Sequence, residues 1–288
     1  EASANLNCVS DRSEFSLQEV CKFLIDHSAP GQRFNIVDID PFGSPVPYLD
    51  CALKAITNGG LLSMTATDSA VLCGVHPKVS RRKYYGISLR TDYCHEVAIR
   101  LLIGSLAHTA MRLNFGIQPI FSHTSKHYLR TYAIINKGIA KADETLGKLG
   151  YINHCFICEN RSTSTYPEDI CQNCGGRLKK AGPLWLGEVH DNTTLDKMEK
   201  EYQILDMRDC LKITEMAKTE YGLPPTYYTI DKVSSSLKIR SPPIEGIIIA
   251  LRNMGYGASR TIFNPKGIRT QAKIEQLKNA FVEAIIDE

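Results

Sequence analysis

The sequence predicts an α/β fold joined to a second, α+β part that carries a cysteine-rich insert. Three observations predict it. Residues 34–67 read strand, helix, strand at the spacing of a parallel βαβ unit. A helix-patterned stretch at 95–113 is followed by two strands with a short polar link. Two Cys-x-x-Cys pairs stand twelve residues apart beyond residue 150. At roughly 150 residues per domain, 288 residues suggest two domains. The division is expected near 145, giving 1–145 and 146–288, with the insert at 151–180.

The elements follow in order. Residues 1–30 read as the end of a helix, a short strand near Glu14–Leu17, and a helix through Val20–Ile25. Phe34 to Ile39 is a buried-type strand closed by Asp40. Pro41 and Pro45 exclude helix from the next segment and force a tight loop. Tyr48, Leu49, Ala52, Leu53 and Ile56 then recur at helical spacing over 46–58, and Asn58-Gly59-Gly60 is expected to stop that helix. Leu61 to Thr67 is the next strand. Val97, Leu101, Leu102, Leu106 and Met111 stripe the helix at 95–113. Gln118–Ser122 and Tyr128–Asn136 form a hairpin. A polar helix and linker at 137–150 precede the insert. Helices are expected at 193–221, 242–254 and 271–286, with a Tyr-rich strand after Pro225 and a basic loop at 255–269. A parallel sheet ending in an antiparallel hairpin is the layout of Rossmann-like class I methyltransferase domains, a fold-level analogy.

Composition narrows the class. Apolar residues make up 43% and charged residues 23%, near globular averages, which argues against disorder, collagen or coiled coil. Apolar runs such as Gly246–Leu251 are far short of the roughly 20 residues a membrane helix needs. The chain starts at Glu1 with no apolar leader behind it, so it is expected to be a cytoplasmic protein, or a piece of one lacking its native start. A monomer is the expected state. Six of the ten cysteines (Cys8, Cys21, Cys51, Cys73, Cys94, Cys210) lack a pattern and read as reduced, mostly buried thiols.

Net charge is only +3, but it is unevenly spread. Lys78 to Arg90 holds Lys78, Arg81, Arg82, Lys83 and Arg90 with no acid. Residues 232–273 hold eight basic residues against Glu245 alone. Lys238, Arg240, Arg252, Arg260, Lys266 and Arg269 lie there among Tyr227, Tyr228, Tyr256 and Phe263, a mixture that suits a folded RNA. Arg81, Arg82 and Lys83 are placed to hold phosphates at the mouth of a pocket. A solvated basic face is the competing reading, and about half of the aromatics are expected in the core.

Asp40-Pro41-Phe42-Gly43 ends a central strand, on the edge of an α/β sheet where ligands bind. These residue types suit methylation of an exocyclic base nitrogen. Such a nitrogen is a poor nucleophile because its lone pair is delocalised into the ring. The Asp40 carboxylate can accept a hydrogen bond from its N–H and then the proton. The Pro41 carbonyl can accept a second one, and Phe42 offers a stacking face worth about 1–3 kcal/mol. S-adenosylmethionine would donate the methyl. Phe42 stands where cytosine C5 chemistry would need a Cys nucleophile, and Cys73 is a weak substitute. Adenine N6 methylation usually carries Asn/Asp-Pro-Pro-Tyr/Phe, which this loop lacks.

Cys155-Phe156-Ile157-Cys158 and Cys171-Gln172-Asn173-Cys174 can close a tetrahedral thiolate site for zinc. Gly175 permits the tight backbone of a knuckle. Four protein ligands leave no open position, so the zinc would be structural. His154 could replace a cysteine but is not needed. Trp185, between two glycine-bearing segments, reads as a core anchor.

Taken together, the motifs resemble the tRNA guanine-26 N2-dimethyltransferase family, closest to its archaeal members. The resemblance is carried by Asp38–Pro45, Thr65-Ala66-Thr67-Asp68, Leu72–Pro77, Arg81–Tyr84, Leu89–Glu96, Lys141–Leu149, Gly182–Gly187, Ala258–Thr261 and Gly267–Thr270. It runs over essentially the whole chain. It implies S-adenosylmethionine, tRNA as substrate, and mono- then dimethylation of guanine N2 at position 26. By motif, Asp40 carries the catalytic carboxylate and Phe42 the stacking ring. Thr67 and Asp68 either line the pocket or hold the loop. Family members also have an earlier segment with a Gly-rich turn and a ribose-binding acid, which has no counterpart before residue 31. Glu19 matches an acid near the adenine, or is simply a solvated helix-start residue. The chain alone is therefore expected to bind cofactor weakly or not at all, and to be inactive, unless the missing part is supplied. A non-catalytic zinc-ribbon RNA-binding module on a degenerate methyltransferase fold is the alternative reading.

Overall fold

The computed structural model describes residues 2–125 and 127–286. A short helix α1 (Ala2–Leu6) leads to α2 (Val20–Asp26), then strand β1 (Phe34–Ile39). A 3-10 turn at Val46–Tyr48 runs into α3 (Leu49–Ala55), and β2 (Ile56–Ala66) follows directly. Next come α4 (Ser69–Leu72), α5 (Pro77–Tyr84) and the long α6 (Cys94–Met111). The hairpin is β3 (Phe115–Ser125) and β4 (Tyr128–Lys137). Then α7 (Ile139–Leu146) precedes β5 (Leu149–His154), β6 (Arg161–Ser164) and β7 (Lys179–Trp185). The chain closes with α8 (Asn192–Ile204), α9 (Arg208–Thr219), β8 (Tyr228–Thr229), α10 (Ile230–Leu237), α11 (Ile244–Asn253), β9 (Ala258–Thr261), β10 (Asn264–Thr270) and α12 (Ile274–Ile286).

The main sheet has the order β1-β2-β4-β3. Strands β1 and β2 are parallel, with Val37 opposite Leu62 and Ile39 opposite Met64. The other two pairings are antiparallel, so the expected βαβ unit and hairpin share one sheet. Two smaller sheets follow, β6-β5-β7 and β8-β10-β9. No helix among the described residues is long and apolar enough to cross a membrane.

Four expectations need correction. Residues 14–17 form no strand: Phe15 and Leu17 face solvent at 54% and 105% exposure, so the alternation has no face to bury. Asn58-Gly59-Gly60 does not stop a helix, because α3 already ends at Ala55 and these residues lie inside β2, where its register with β1 shifts. The basic stretch 255–269 contains most of a hairpin, in which β10 pairs with β9 from Ala258 to Thr261. Cys21 and Cys51 are not free thiols: α2 packs on α3 with their Cα atoms 5.4 Å apart, and a disulfide joins them. Cys8 is exposed, and Cys73, Cys94 and Cys210 are half-buried rather than buried.

One hydrophobic core runs across residue 145. Val97, Leu101 and Leu102 of α6 share it with Ile152 of β5, Leu184 and Trp185 of β7, Tyr227 and Phe263. Trp185 is a core anchor as expected, its indole N–H donating to the Glu188 carbonyl at 2.8 Å. A second core gathers Tyr228, Ile247, Leu251, Ile268, Leu277 and Phe281 around the C-terminal sheet.

Buried charges tie these parts together around the start of α6. Arg161 of β6 donates to both oxygens of Asp92 at 3.0 and 3.2 Å and lies between the rings of Tyr93 and Tyr228. Asp92 also accepts from the backbone N–H and hydroxyl of Thr229. One aspartate thus holds the insert and the C-terminal sheet to the first half. Removing one partner of a buried ion pair costs far more than the pair contributes. Arg161→Ala is expected to lower the unfolding free energy by about 3–5 kcal/mol. A urea melt reads this as an earlier midpoint, and an unchanged midpoint contradicts it.

Candidate active site

The parallel pairing of β1 and β2 delivers two strand ends to the same edge of the sheet. Asp40 follows β1 with a side chain 62% exposed, and Phe42 projects fully into solvent. The loop is held by a reciprocal pair of hydrogen bonds. The Gly43 N–H donates to Thr67 Oγ1 at 2.7 Å, and the Thr67 N–H donates to the Gly43 carbonyl at 2.9 Å. Of the two readings of Thr67, loop support is the one these contacts favour.

Asp68 is also engaged in support. It accepts hydrogen bonds from the buried Tyr84 hydroxyl and, at 3.4 Å, from Lys83. Burial, with the Asp68 hydrogen bond, pushes the Tyr84 hydroxyl's pKa up. Tyr84 ends α5, so this contact fixes the helix that carries Arg81 and Arg82 outward into solvent.

Sequence reasoning missed Arg130. Its guanidinium donates to Asp38 at 2.6 Å and to Thr65 Oγ1 at 2.6 Å, and stands 3.8 Å from an Asp40 oxygen. Its Nε donates to the Tyr132 hydroxyl at 2.8 Å. One side chain thus spans β4, β2 and the end of β1. A signal did exist: Arg130 is the one charged residue between Leu129 and Ile135.

Glu19 is the N-cap of α2. Its carboxylate accepts from the backbone N–H groups of Cys21 and Lys22 at 3.0 and 2.6 Å. Capping accounts for its position at a helix start. A cavity of about 510 Å³ lies beside β1, lined by Ser16, Gln18, Phe23, Phe34, Asp38 and Ile39 among others, but not by Glu19.

The basic candidates divide. Arg240 and Lys266 are exposed, and Lys266 pairs with Asp231 at 2.8 Å. Arg260 is partly exposed and pairs with Glu245 at 2.6 Å. Arg269 is a correction: it is 3% exposed and its guanidinium is shared by Glu96 at 2.9 Å and Glu220 at 3.0 Å. A buried arginine already neutralised by two carboxylates has no face for a phosphate. Tyr227, Tyr228 and Phe263 are likewise buried core residues, more of the aromatic set than expected.

The four cysteines of the insert converge. Cys155 follows β5, and the Cys171–Cys174 turn lies between β6 and β7. Their sulfurs all lie within 4.8 Å of one another, with Cys155 and Cys174 at 3.4 Å and Cys158 and Cys171 at 3.6 Å. Each knuckle is closed by its backbone, Glu159 N–H to Cys155 O and Gly175 N–H to Cys171 O. Gly175 has φ +71°, a conformation that suits glycine. Four thiols in such a cage fit a tetrahedral zinc ion. His154 is not part of the cage. Burial pushes its pKa down to about 3, and it sits against the Tyr93 hydroxyl at 3.2 Å.

Residues 1–282 match the family model described as N2,N2-dimethylguanosine tRNA methyltransferase. The chain belongs to this family. It is 39% identical over 253 residues to the tRNA (guanine(26)-N(2))-dimethyltransferase of Methanobrevibacter smithii, covering 85% of this chain and 65% of that protein. It is 38% identical over 255 residues to the protein of the same name from Pyrococcus horikoshii, covering 88% of this chain and 64% of that one. Among solved structures it is similar to Trm1 from Pyrococcus horikoshii in complex with S-adenosyl-L-methionine. That match has a TM-score of 0.82 and 35% identity, and covers 92% of this chain and 70% of that one. The chain thus spans just under two thirds of the length of the two curated family members.

The loop clamp is directly testable. Thr67→Val removes the acceptor of the Gly43 amide, while Thr67→Ser keeps it. Hydrogen exchange at Gly43 is expected to speed up in the valine variant and stay slow in the serine variant. Equal rates in both would show that the clamp does not hold the loop.

Proposed function

We propose that this chain supplies the catalytic loop of an S-adenosylmethionine-dependent enzyme that methylates the exocyclic N2 of guanine 26 in tRNA, giving N2-methyl- and N2,N2-dimethylguanosine. The observation that carries the reading is the exposed Asp40 carboxylate beside an outward Phe42 on a clamped loop, in a chain of this family.

The chemistry follows from the residues present. S-adenosylmethionine, when bound, would supply an electrophilic methyl on a sulfonium, the methyl–sulfur bond breaking as the methyl is transferred and the neutral thioether S-adenosylhomocysteine leaving. The residues of this chain that would face it are Asp40 and the carboxyl end of β1, next to the cavity lined by Asp38 and Ile39. Guanine must leave the stacked tRNA to present its amino group. Phe42 then stacks on the extruded ring. Asp40 accepts a hydrogen bond from one N2 hydrogen, which concentrates the lone pair on nitrogen, and takes that proton as the N–C bond forms. The Pro41 carbonyl accepts from the second hydrogen. The monomethylated amine still carries one N–H for Asp40, so a second transfer needs no new group. Because Asp40 is open to solvent, it can return its proton between turns.

The remaining parts serve placement. Arg81, Arg82 and Lys83 on α5 lie on the polypeptide just beyond the strand that clamps the loop, and suit phosphates flanking the target base. Arg240, Arg260 and Lys266 are the C-terminal candidates for the same job. Zinc in the four-cysteine cage would hold the insert folded and take no part in the reaction. A tRNA substrate would suit a cytoplasmic location.

Two outcomes test this reading. In the full-length protein, Asp40→Asn is expected to lower methyl transfer by about 10²–10⁴-fold while leaving tRNA affinity nearly unchanged. Nucleoside mass spectrometry of the treated tRNA measures it, and undiminished N2-methylguanosine would refute the role. Chelation of the metal is expected to speed amide exchange across 151–180 while the β1–β2 core stays protected. Uniform protection after chelation would show that the cage holds no structural metal.

A further inference from the structure

We propose that Cys73, Cys94 and His95 form a second zinc site, separate from the four-cysteine cage. Their ligand atoms all lie within 4.8 Å of one another. Among the described residues, only the cage and this group meet that requirement.

The three ligands come from segments locked to each other. Cys73 is the C-cap of α4, its N–H donating to the Ser69 carbonyl at 2.7 Å. Gly74 follows with φ +89°, and a Cβ there would lie 2.3 Å from the Arg90 backbone nitrogen. The two backbones therefore touch, and only glycine allows it. The Ser88 hydroxyl donating to the Val71 carbonyl at 2.8 Å is a second tie between the same segments. This crossing brings Cys73 against the start of α6, where Cys94 and His95 are the first two residues. That start is itself immobilised by buried Tyr93 and by Asp92, which is held by Arg161 and Thr229. Ligands carried on rigid elements lose little freedom when a metal binds.

The donor set selects the ion. Two thiolates and an imidazole are soft to borderline ligands that favour zinc over magnesium or calcium. Three protein ligands leave one position for water. Cys73 and Cys94 are half-buried while His95 is exposed, so the ion has a path from solvent. A bound ion would rivet α4, which follows the strand clamping the Asp40 loop, to the central helix α6. The proposal stands apart from the reaction proposed above, because its test counts metal and does not measure turnover.

The test uses the whole chain with the Cys21–Cys51 disulfide intact, stripped of metal, reloaded with excess zinc and freed of unbound ion. Native mass spectrometry and elemental analysis are expected to give two zinc ions per chain. Cys94→Ser should give one. His95→Ala, at an exposed position, should keep the fold and weaken the second ion by at least about tenfold against a competing chelator. One zinc in the unaltered chain, or equal counts in the unaltered chain and Cys94→Ser, would overturn the site. Should Cys94→Ser fail to fold, alkylation of the unaltered chain decides. The first equivalent of zinc fills the four-thiolate cage, and the second should slow modification of Cys73 and Cys94. Unchanged rates between one and two equivalents would equally overturn the proposal.

Discussion

Two hydrogen bonds across the top of the sheet decide what this chain can do. Gly43 and Thr67 each donate to the other, and so fix the turn after β1 to the end of β2. Without them, a loop with an outward Phe42 and an exposed Asp40 would sample many conformations, and each reaction would first need it to be ordered. If Asp40 is the general base proposed above, positioning it before substrate arrives removes that entropy from the barrier. The parallel register of β1 and β2 is the deeper condition, because a shift of one residue would put Asp38 and Asp40 on the opposite face. Arg130 supports the same register by bonding to Asp38 and to Thr65 across the sheet.

The second half is not a loosely tethered module. Arg100 of α6 binds Glu96 and donates to the Trp185 and Gly187 carbonyls, while Arg269 of β10 bridges Glu96 to Glu220. Such buried charges are weak sources of stability but are strict about geometry. They set the orientation of the C-terminal hairpin relative to α6. The hairpin that carries Arg260 and Lys266 is therefore held at an angle to α6 that the fold fixes.

Much of this was legible in the sequence because it depends on local pattern. The βαβ unit, the hairpin, the two knuckles and the loop after β1 follow from periodicity, proline and cysteine spacing. What escaped depends on partners distant in the chain. Arg269 looked like a phosphate ligand because a charge count cannot see Glu96 and Glu220 folding around it. Arg130 was passed over because its meaning comes from Asp38 two strands away in the sheet. Glu14–Leu17 alternates like a strand, but it meets no apolar surface. Gly59 and Gly60 look like a stop signal, yet they sit within the irregular start of β2. The Cys21–Cys51 bond depends on α2 packing against α3, which spacing alone does not reveal.

The most direct measurement is a structure of the full-length protein with tRNA and S-adenosylhomocysteine, the demethylated cofactor. The expected result is guanine 26 turned out of its stack, its ring over Phe42 and its N2 within about 2.6–3.2 Å of the Asp40 carboxylate. A complex in which that amino group is bound elsewhere, with Asp40 left facing solvent, would contradict the role given to this loop.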